Sequence, residues 1–198
     1  MKNLFILLFT IFITFSNAKA QQGSFLIGAS SDIGDRPVLF WGLTPTLGYF
    51  ISDNICLGAG LKFNSYSQED LMDWNNGEYN EKGDSIIINP FVRYYTNNLF
   101  VHGGINISSS KNTAEFTDID YETEISSSSF GLTVGVGYSL KWGKHFVFEP
   151  MFGYNYSSGG QTIKNKASDG TVNEVESDLP SSSNLGLTLG ISFLIGDK

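Results

Sequence analysis

Residues 128–141 read Ser-Ser-Phe-Gly-Leu-Thr-Val-Gly-Val-Gly-Tyr-Ser-Leu-Lys, and every second position from Phe130 to Leu140 is large and apolar. Between them stand Gly131, Thr133, Gly135, Gly137 and Ser139. A period of two is that of a strand whose faces meet different surroundings. The pattern recurs. Leu39, Trp41, Leu43, Pro45, Leu47, Tyr49 and Ile51 alternate with Gly42, Thr44, Thr46 and Gly48, and Ile55 to Phe63 alternates with Cys56, Gly58, Gly60 and Lys62. Eight such segments are expected, near 23–31, 38–51, 55–64, 85–95, 99–108, 128–141, 145–157 and 184–195. No helical periodicity competes with them.

Ser52-Asp53-Asn54, Thr96-Asn97-Asn98 and Trp142-Gly143-Lys144 read as three-residue hairpin turns. The other links are 32–37 and three long ones, 65–84, 109–127 and 158–183. Short turns therefore gather at one end of the sheet and long loops at the other. Pro45-Thr-Leu-Gly-Tyr49, Pro90-Phe-Val-Arg-Tyr94 and Val134-Gly-Val-Gly-Tyr138 each precede a tight turn, as repeated hairpins of a meander would.

A soluble sandwich and a membrane barrel share such alternation, so the occupants of each face decide between them. The apolar phase carries no charged or amide side chain in these segments, whereas Lys62, Asn89, Arg93, His102, Asn106 and Glu149 all fall on the other, interleaved with glycine. Small residues suit the crowded inside of a narrow closed barrel better than a wet surface. Tyr49, Tyr94, Tyr138 and Phe146 flank the short turns, and Trp41, Phe63, Phe130 and Tyr156 lie toward the long loops, which spaces them as two interfacial girdles. Ten residues at ~3.3 Å, tilted by ~40°, rise about 25 Å, the height of an outer-membrane apolar band. The expected fold is all-β, a single eight-stranded antiparallel up-and-down transmembrane β-barrel. A soluble lipocalin-like binder would need the apolar phase to face inward.

The first 20 residues have a basic start at Lys2, an apolar stretch from Leu4 to Phe15 and Ala18-Lys19-Ala20, the pattern of a cleaved secretory signal. Residues 21–198 are then the barrel domain. The chain has 198 residues and a formal charge of -8, and removal of Lys2 and Lys19 would bring it to -10. An acidic chain lacks the clustered cations that nucleic-acid binding needs. The four non-turn links together carry -12, so the acidity gathers at the long-loop end.

Signal, amphipathic strands and unequal ends together resemble the small outer-membrane barrels of Gram-negative bacteria, similar to the OmpA transmembrane domain and the OmpX group. The resemblance implies an integral outer-membrane protein with long loops extracellular and both termini periplasmic. Its implied partners are outer-membrane lipids, lipopolysaccharide and the insertion machinery. That family usually ends on an aromatic residue; here Phe193 is followed by Leu194 to Lys198.

Lys62, Asn89, Arg93, His102 and Glu149 form a candidate polar network in the lumen, read either as an internal salt-bridge plug or as a path for small solutes. The function expected is structural or surface-interacting, with acidic loops. The alternative is a narrow channel or carrier similar to the OmpW group, and a lipid-modifying barrel enzyme is a further one. Neither His102 nor His145 lies near the serine-rich loops, so no catalytic residue is assigned. No cofactor or metal is assigned either. Gly28 to Gly34 has Asp32 where a dinucleotide turn needs glycine, and Asp73-Trp-Asn75-Asn-Gly77 places its glycine one position early for a calcium loop. Pro45, Pro90 and Pro150 sit inside expected strands without a ladder N–H, which calls for bulges or weakened ladders there.

Overall fold

Outward side chains that are apolar, inward ones that are small or polar, and turns that reverse the chain within a few residues leave each segment one way to satisfy its backbone: pairing with its sequence neighbours. The computed structural model describes residues 22–33, 43–72, 77–116 and 120–196. The expected signal at 1–20, Trp41 and the Asp73–Gly77 pattern lie wholly or mainly outside them.

The strands are β1 (Phe25–Ile33), β2 (Thr44–Phe50), β3 (Ile55–Met72), β4 (Gly77–Thr96), β5 (Leu99–Phe116), β6 (Tyr121–Tyr138), β7 (Leu140–Trp142), β8 (Phe146–Lys166) and β9 (Val172–Ile195). β7 continues β6 after a break at Ser139, and both pair with β8, so the nine segments make eight staves. Every pairing is antiparallel, and β1 pairs with both β2 and β9. Among the described residues the sheet therefore closes on itself as a ring. At the turn end the ring is stitched once more: Tyr95 N donates to Asn54 O at 2.7 Å, Ser139 N to Asn98 O at 2.6 Å and Leu194 N to His145 O at 2.7 Å.

Two expectations change. The long links are not loops, because β3 and β4 pair to Met72↔Gly77, β5 and β6 to Phe116↔Tyr121, and β8 and β9 to Lys166↔Val172. Beyond the band both faces of a hairpin meet water, the apolar alternation stops, and the backbone ladder continues without it. The 24 residues of β9 at ~3.3 Å give roughly 80 Å of strand, far more than a ~25 Å band requires. Second, Trp142 closes β7, and the turn that follows is Gly143-Lys144-His145, with Gly143 at φ +70°.

The prolines meet the expectation through its second alternative: Pro45, Pro90 and Pro150 make no bulge but break one ladder each. Pro45 pairs with Ala29 on one side, while the β3 ladder begins at Thr46↔Gly60. Pro90 pairs with Ala59, while the β5 ladder skips from Ile88↔Ile107 to Phe91↔Gly104 in unchanged register. Pro150 pairs with Leu189 and faces the break between β6 and β7. Each proline keeps one ladder and interrupts the other, as a residue without an N–H must. The register shift of the β8–β9 ladder lies instead between Ser157↔Ser182 and Gly159↔Leu179, where Ser158 opposes both Pro180 and Ser181.

Outward-facing Ile27, Leu47, Leu57, Leu61, Val92, Val134, Val136, Leu185 and Ile191 form the apolar band. Inside, the turn end is packed by Leu26, Phe50, Cys56, Phe91, Tyr95, Phe100, Val147, Met151 and Leu194.

Candidate functional site

The lumen divides into two levels. At the lower one, Arg93 of β4 stands in register with Cys56 of β3 and His102 of β5. All three point inward by strand parity and are buried. Glu149 comes from β8, two staves beyond β5, and reaches Arg93 across the bore: Arg93 Nη1 lies 2.6 Å from Glu149 Oε2. The second carboxylate oxygen accepts from the Tyr95 hydroxyl at 2.9 Å. Arg93 Nε donates to His102 Nδ1 at 3.2 Å, which fixes a neutral imidazole with its proton on Nε2. The guanidinium carbon sits 4.7 Å from the Phe91 ring centroid and 5.1 Å from that of Phe100. A charge held between two rings and a bidentate set of partners is tolerated away from water. Below it, a void of about 10 Å³ is left among Leu26, Phe50, Tyr95, Val147, Glu149 and Leu194.

One level higher, a chain of side-chain bonds runs around the wall. Asn89 Nδ2 donates to Asn106 Oδ1, Asn106 Nδ2 to Thr133 Oγ1 at 2.9 Å, and Thr133 Oγ1 to Asn155 Oδ1 at 2.6 Å. This polar wall, with Lys62 and Thr188, encloses a cup of about 460 Å³ whose floor includes Arg93, His102 and Met151. Its upper lining includes Ser108 bonded to Ser129 at 2.6 Å, and Ser157 bonded to Ser182 at 3.0 Å.

Of the five lumen residues expected from sequence, Arg93, His102 and Glu149 come together. Asn89 joins a separate amide and hydroxyl chain. Lys62 does not reach Glu149: it lines the cup, and among the described residues it has no carboxylate within 4.0 Å. Sequence reasoning missed Tyr95 and the rings of Phe50, Phe91 and Phe100. Their parity with Gly48, Arg93 and His102 was the available signal.

Tyr49, Phe63, Tyr94, Phe130 and Tyr156 project outward and are exposed. Tyr138 and Phe146 are half-buried: the Tyr138 hydroxyl accepts from Asn98 Nδ2 at 3.0 Å, and Phe146 meets Phe193 edge-on at 5.7 Å. Trp142, 81% exposed, is a further outward aromatic at the turn end that the sequence reading assigned to a turn.

Above the band the same alternation carries other chemistry. Lys111, Glu124, Lys164, Lys166, Glu122 and Glu174 share the outer face and pair there, with Lys111 Nζ 2.8 Å from Glu124 Oε2. The inner face carries Tyr66 and Tyr79, whose hydroxyls donate to the two oxygens of Glu81 at 2.7 and 3.0 Å. The Glu81 bond holds the Tyr66 phenol above its ordinary value.

A family model described as the autotransporter beta-domain matches residues 15–193. The chain belongs to the autotransporter beta-domain family. Among solved structures, this β-domain is similar to a major outer membrane protein from Thermus thermophilus, at TM-score 0.53 and 15% identity, covering 87% of this chain and 99% of that one. CarO2 of Acinetobacter baumannii follows at TM-score 0.43 and 15% identity, covering 90% and 100% of the two chains. No curated protein matches the sequence. The β-domain is an outer-membrane β-barrel, and its family is one the hairpin pattern alone did not name.

Proposed function

We propose that this chain is a non-enzymatic outer-membrane barrel of structural and surface-interacting type, in the manner of the OmpA and OmpX barrels, with its lumen closed by side chains. The observation that carries the reading is the plug: an Arg93–Glu149 pair spanning the bore at 2.6 Å, over a floor in which Phe100 is 1% and Phe50 2% exposed. The charged, water-facing hairpins support placing that end outside the cell, and the short turns support periplasmic termini after removal of residues 1–20. Outward aromatics suit contact with lipid and lipopolysaccharide, and Phe193 on the outer face of β9 suits recognition by the insertion machinery. A catalytic role is disfavoured because His102 is committed to Arg93, and His145 Nδ1 donates to Leu194 O at 2.9 Å. The hairpin end is read as a surface for a binding partner.

A narrow channel or carrier, similar to the OmpW group, draws support from the cup of about 460 Å³. Single-channel recording of the refolded protein in planar bilayers separates the two. The closed reading expects no stepwise conductance, and reproducible ohmic steps would replace it with the channel.

A further inference from the structure

Directly above the apolar band, the outer face of the hairpins is hollowed. A depression of about 540 Å³ is lined there by Ser109, Ser126, Ser128, Thr162, Glu176 and Asp178, together with Gly160. These residues share one face by register: Ser109, Ser128, Gly160 and Asp178 form one row across β5, β6, β8 and β9, and Ser126, Thr162 and Glu176 belong to the next row up. All of them, and the residues within two rows of them on those four strands, are among the described residues. The next outward row below holds Ile107 and Phe130, paired with each other, half-exposed and at the upper end of the lipid-facing band. Above the hollow the nearest ammonium groups are already held, Lys111 by Glu124 at 2.8 Å and Lys164 by Glu174 at 3.4 Å.

Serine and threonine hydroxyls both donate and accept, and an ionised carboxylate accepts several bonds. That set matches the hydroxyls of a sugar ring, each of them donor and acceptor at once. It suits a phosphate headgroup poorly, because Glu176 and Asp178 would face it with like charge. A volume of about 540 Å³ lies in the range of small-molecule sites. The hollow also runs into the membrane surface: a free sugar would leave Ile107 and Phe130 uncovered, whereas a sugar that carries an alkyl chain covers them as it binds. We propose that this hollow seats the sugar headgroup of a glycolipid of the surrounding membrane, its chain running down over Ile107 and Phe130. The site gives a chemical class to the partner of the hairpin end, and it rests on the reading of that end as extracellular only for which leaflet supplies the glycolipid.

The test is amide NMR of the full barrel in amine-oxide micelles, titrated with dodecyl maltoside, dodecylphosphocholine and maltose. Dodecyl maltoside is expected to shift the amides of Ser126, Ser128 and Gly160 saturably, at concentrations about tenfold or more below those that maltose needs, and dodecylphosphocholine to give no saturable shift there. A Cβ at Gly160 would meet nothing nearer than the Ser177 carbonyl oxygen at 3.7 Å, so Gly160→Leu fills the hollow without forcing the ladder, and it should abolish the response. Glu176→Gln, which keeps one acceptor oxygen, should weaken it several-fold. An equal response to dodecylphosphocholine, an equal response to maltose, no saturable response at all, or one that survives Gly160→Leu would overturn the site. Orientation is read separately, by labelling Ser177→Cys in intact cells with a membrane-impermeant maleimide, the parent chain with its buried Cys56 serving as the blank. Labelling only after lysis, in a barrel that binds dodecyl maltoside, overturns the outward placement of the hairpins and keeps the site; labelling in intact cells without binding overturns the site alone.

Discussion

Glu149 shows how much a single inward residue decides. It is 3% exposed, and both carboxylate oxygens are used, by Arg93 and Tyr95. Removing one member of a buried pair leaves an uncompensated charge and costs about 3 to 5 kcal/mol, whereas replacing both with apolar groups of similar volume is often near neutral. Glu149→Ala is therefore expected to destabilise the refolded barrel by roughly that amount in urea titrations. Arg93→Met combined with Glu149→Leu should lose less than Glu149→Ala alone, although the Tyr95 hydroxyl gives up its acceptor. Equal or greater loss in the double variant would mean that the pair itself, and not the avoidance of a stranded charge, stabilises the plug. Phe91 and Phe100 bear on the same point, since the rings that shield the guanidinium would pack equally well against methionine.

Among the elements, the β5–β6 hairpin shows where sequence legibility ends. From Leu99 to Ile107 and from Phe130 to Tyr138 the alternation is read directly, because lipid and a crowded lumen make opposite demands on the two faces. From Ser108 to Phe116 and from Tyr121 to Ser129 both faces meet water, serine and charged residues suit either, and the periodicity that marks a strand disappears although the ladder does not. The plug was hidden for the converse reason. Phe50, Phe91, Tyr95 and Phe100 are as apolar as the lipid face, so only parity with neighbouring lumen residues distinguishes them. Pro180 was unreadable as a bulge because the stretch around it did not read as a strand at all. Arg93, His102 and Glu149 were legible as inward residues; that Glu149 crosses the bore to Arg93 follows from closure, which no local pattern contains.

The outer Lys111–Glu124 pair gives that hairpin a measurable signature. The Lys111 ammonium, at 2.8 Å, holds the Glu124 carboxyl below the ordinary glutamate range, and the carboxylate raises the Lys111 ammonium in return. A depressed carboxyl contributes stability that is present above its unfolded value and fades as the pH falls through the folded one; the raised ammonium contributes below its own unfolded value and fades at the alkaline end. The pair is thus fully formed across neutral pH. Carbon-detected NMR titration of Glu124 should give a midpoint below that of ordinary glutamate, and Lys111→Met should move it up. A midpoint that does not respond to Lys111→Met would place the cause elsewhere, with the Ser126 hydroxyl that also donates to Glu124 the next to examine.

For the whole molecule, the property on which everything above depends is closure, and closure rests on the β1–β9 ladder. Nine registered pairs join Phe25↔Ile195 through Ile33↔Leu187. At Gly28 this seam leaves no room: a Cβ there would fall 2.1 Å from the Ile191 carbonyl oxygen and 2.3 Å from Ser192 Oγ. The first of these is backbone in the partner strand, so it cannot rotate away, and relief requires the two strands to part. Gly190 lies on the same seam, opposite Ser30, yet its Cβ would meet Glu149 only at 3.4 Å or beyond, which is ordinary contact. Gly28→Val is expected to prevent closure and Gly190→Ala to permit it. Closed barrels resist detergent until heated, because backbone groups that pair around a ring expose no edge from which unpairing starts. On unboiled gels the parent chain and Gly190→Ala should therefore run as a compact, heat-modifiable form, while Gly28→Val should run at its unfolded position whether heated or not. A compact Gly28→Val would show that the seam tolerates a displaced β1, and that the ring is held by β2 to β9 with the first strand a replaceable stave.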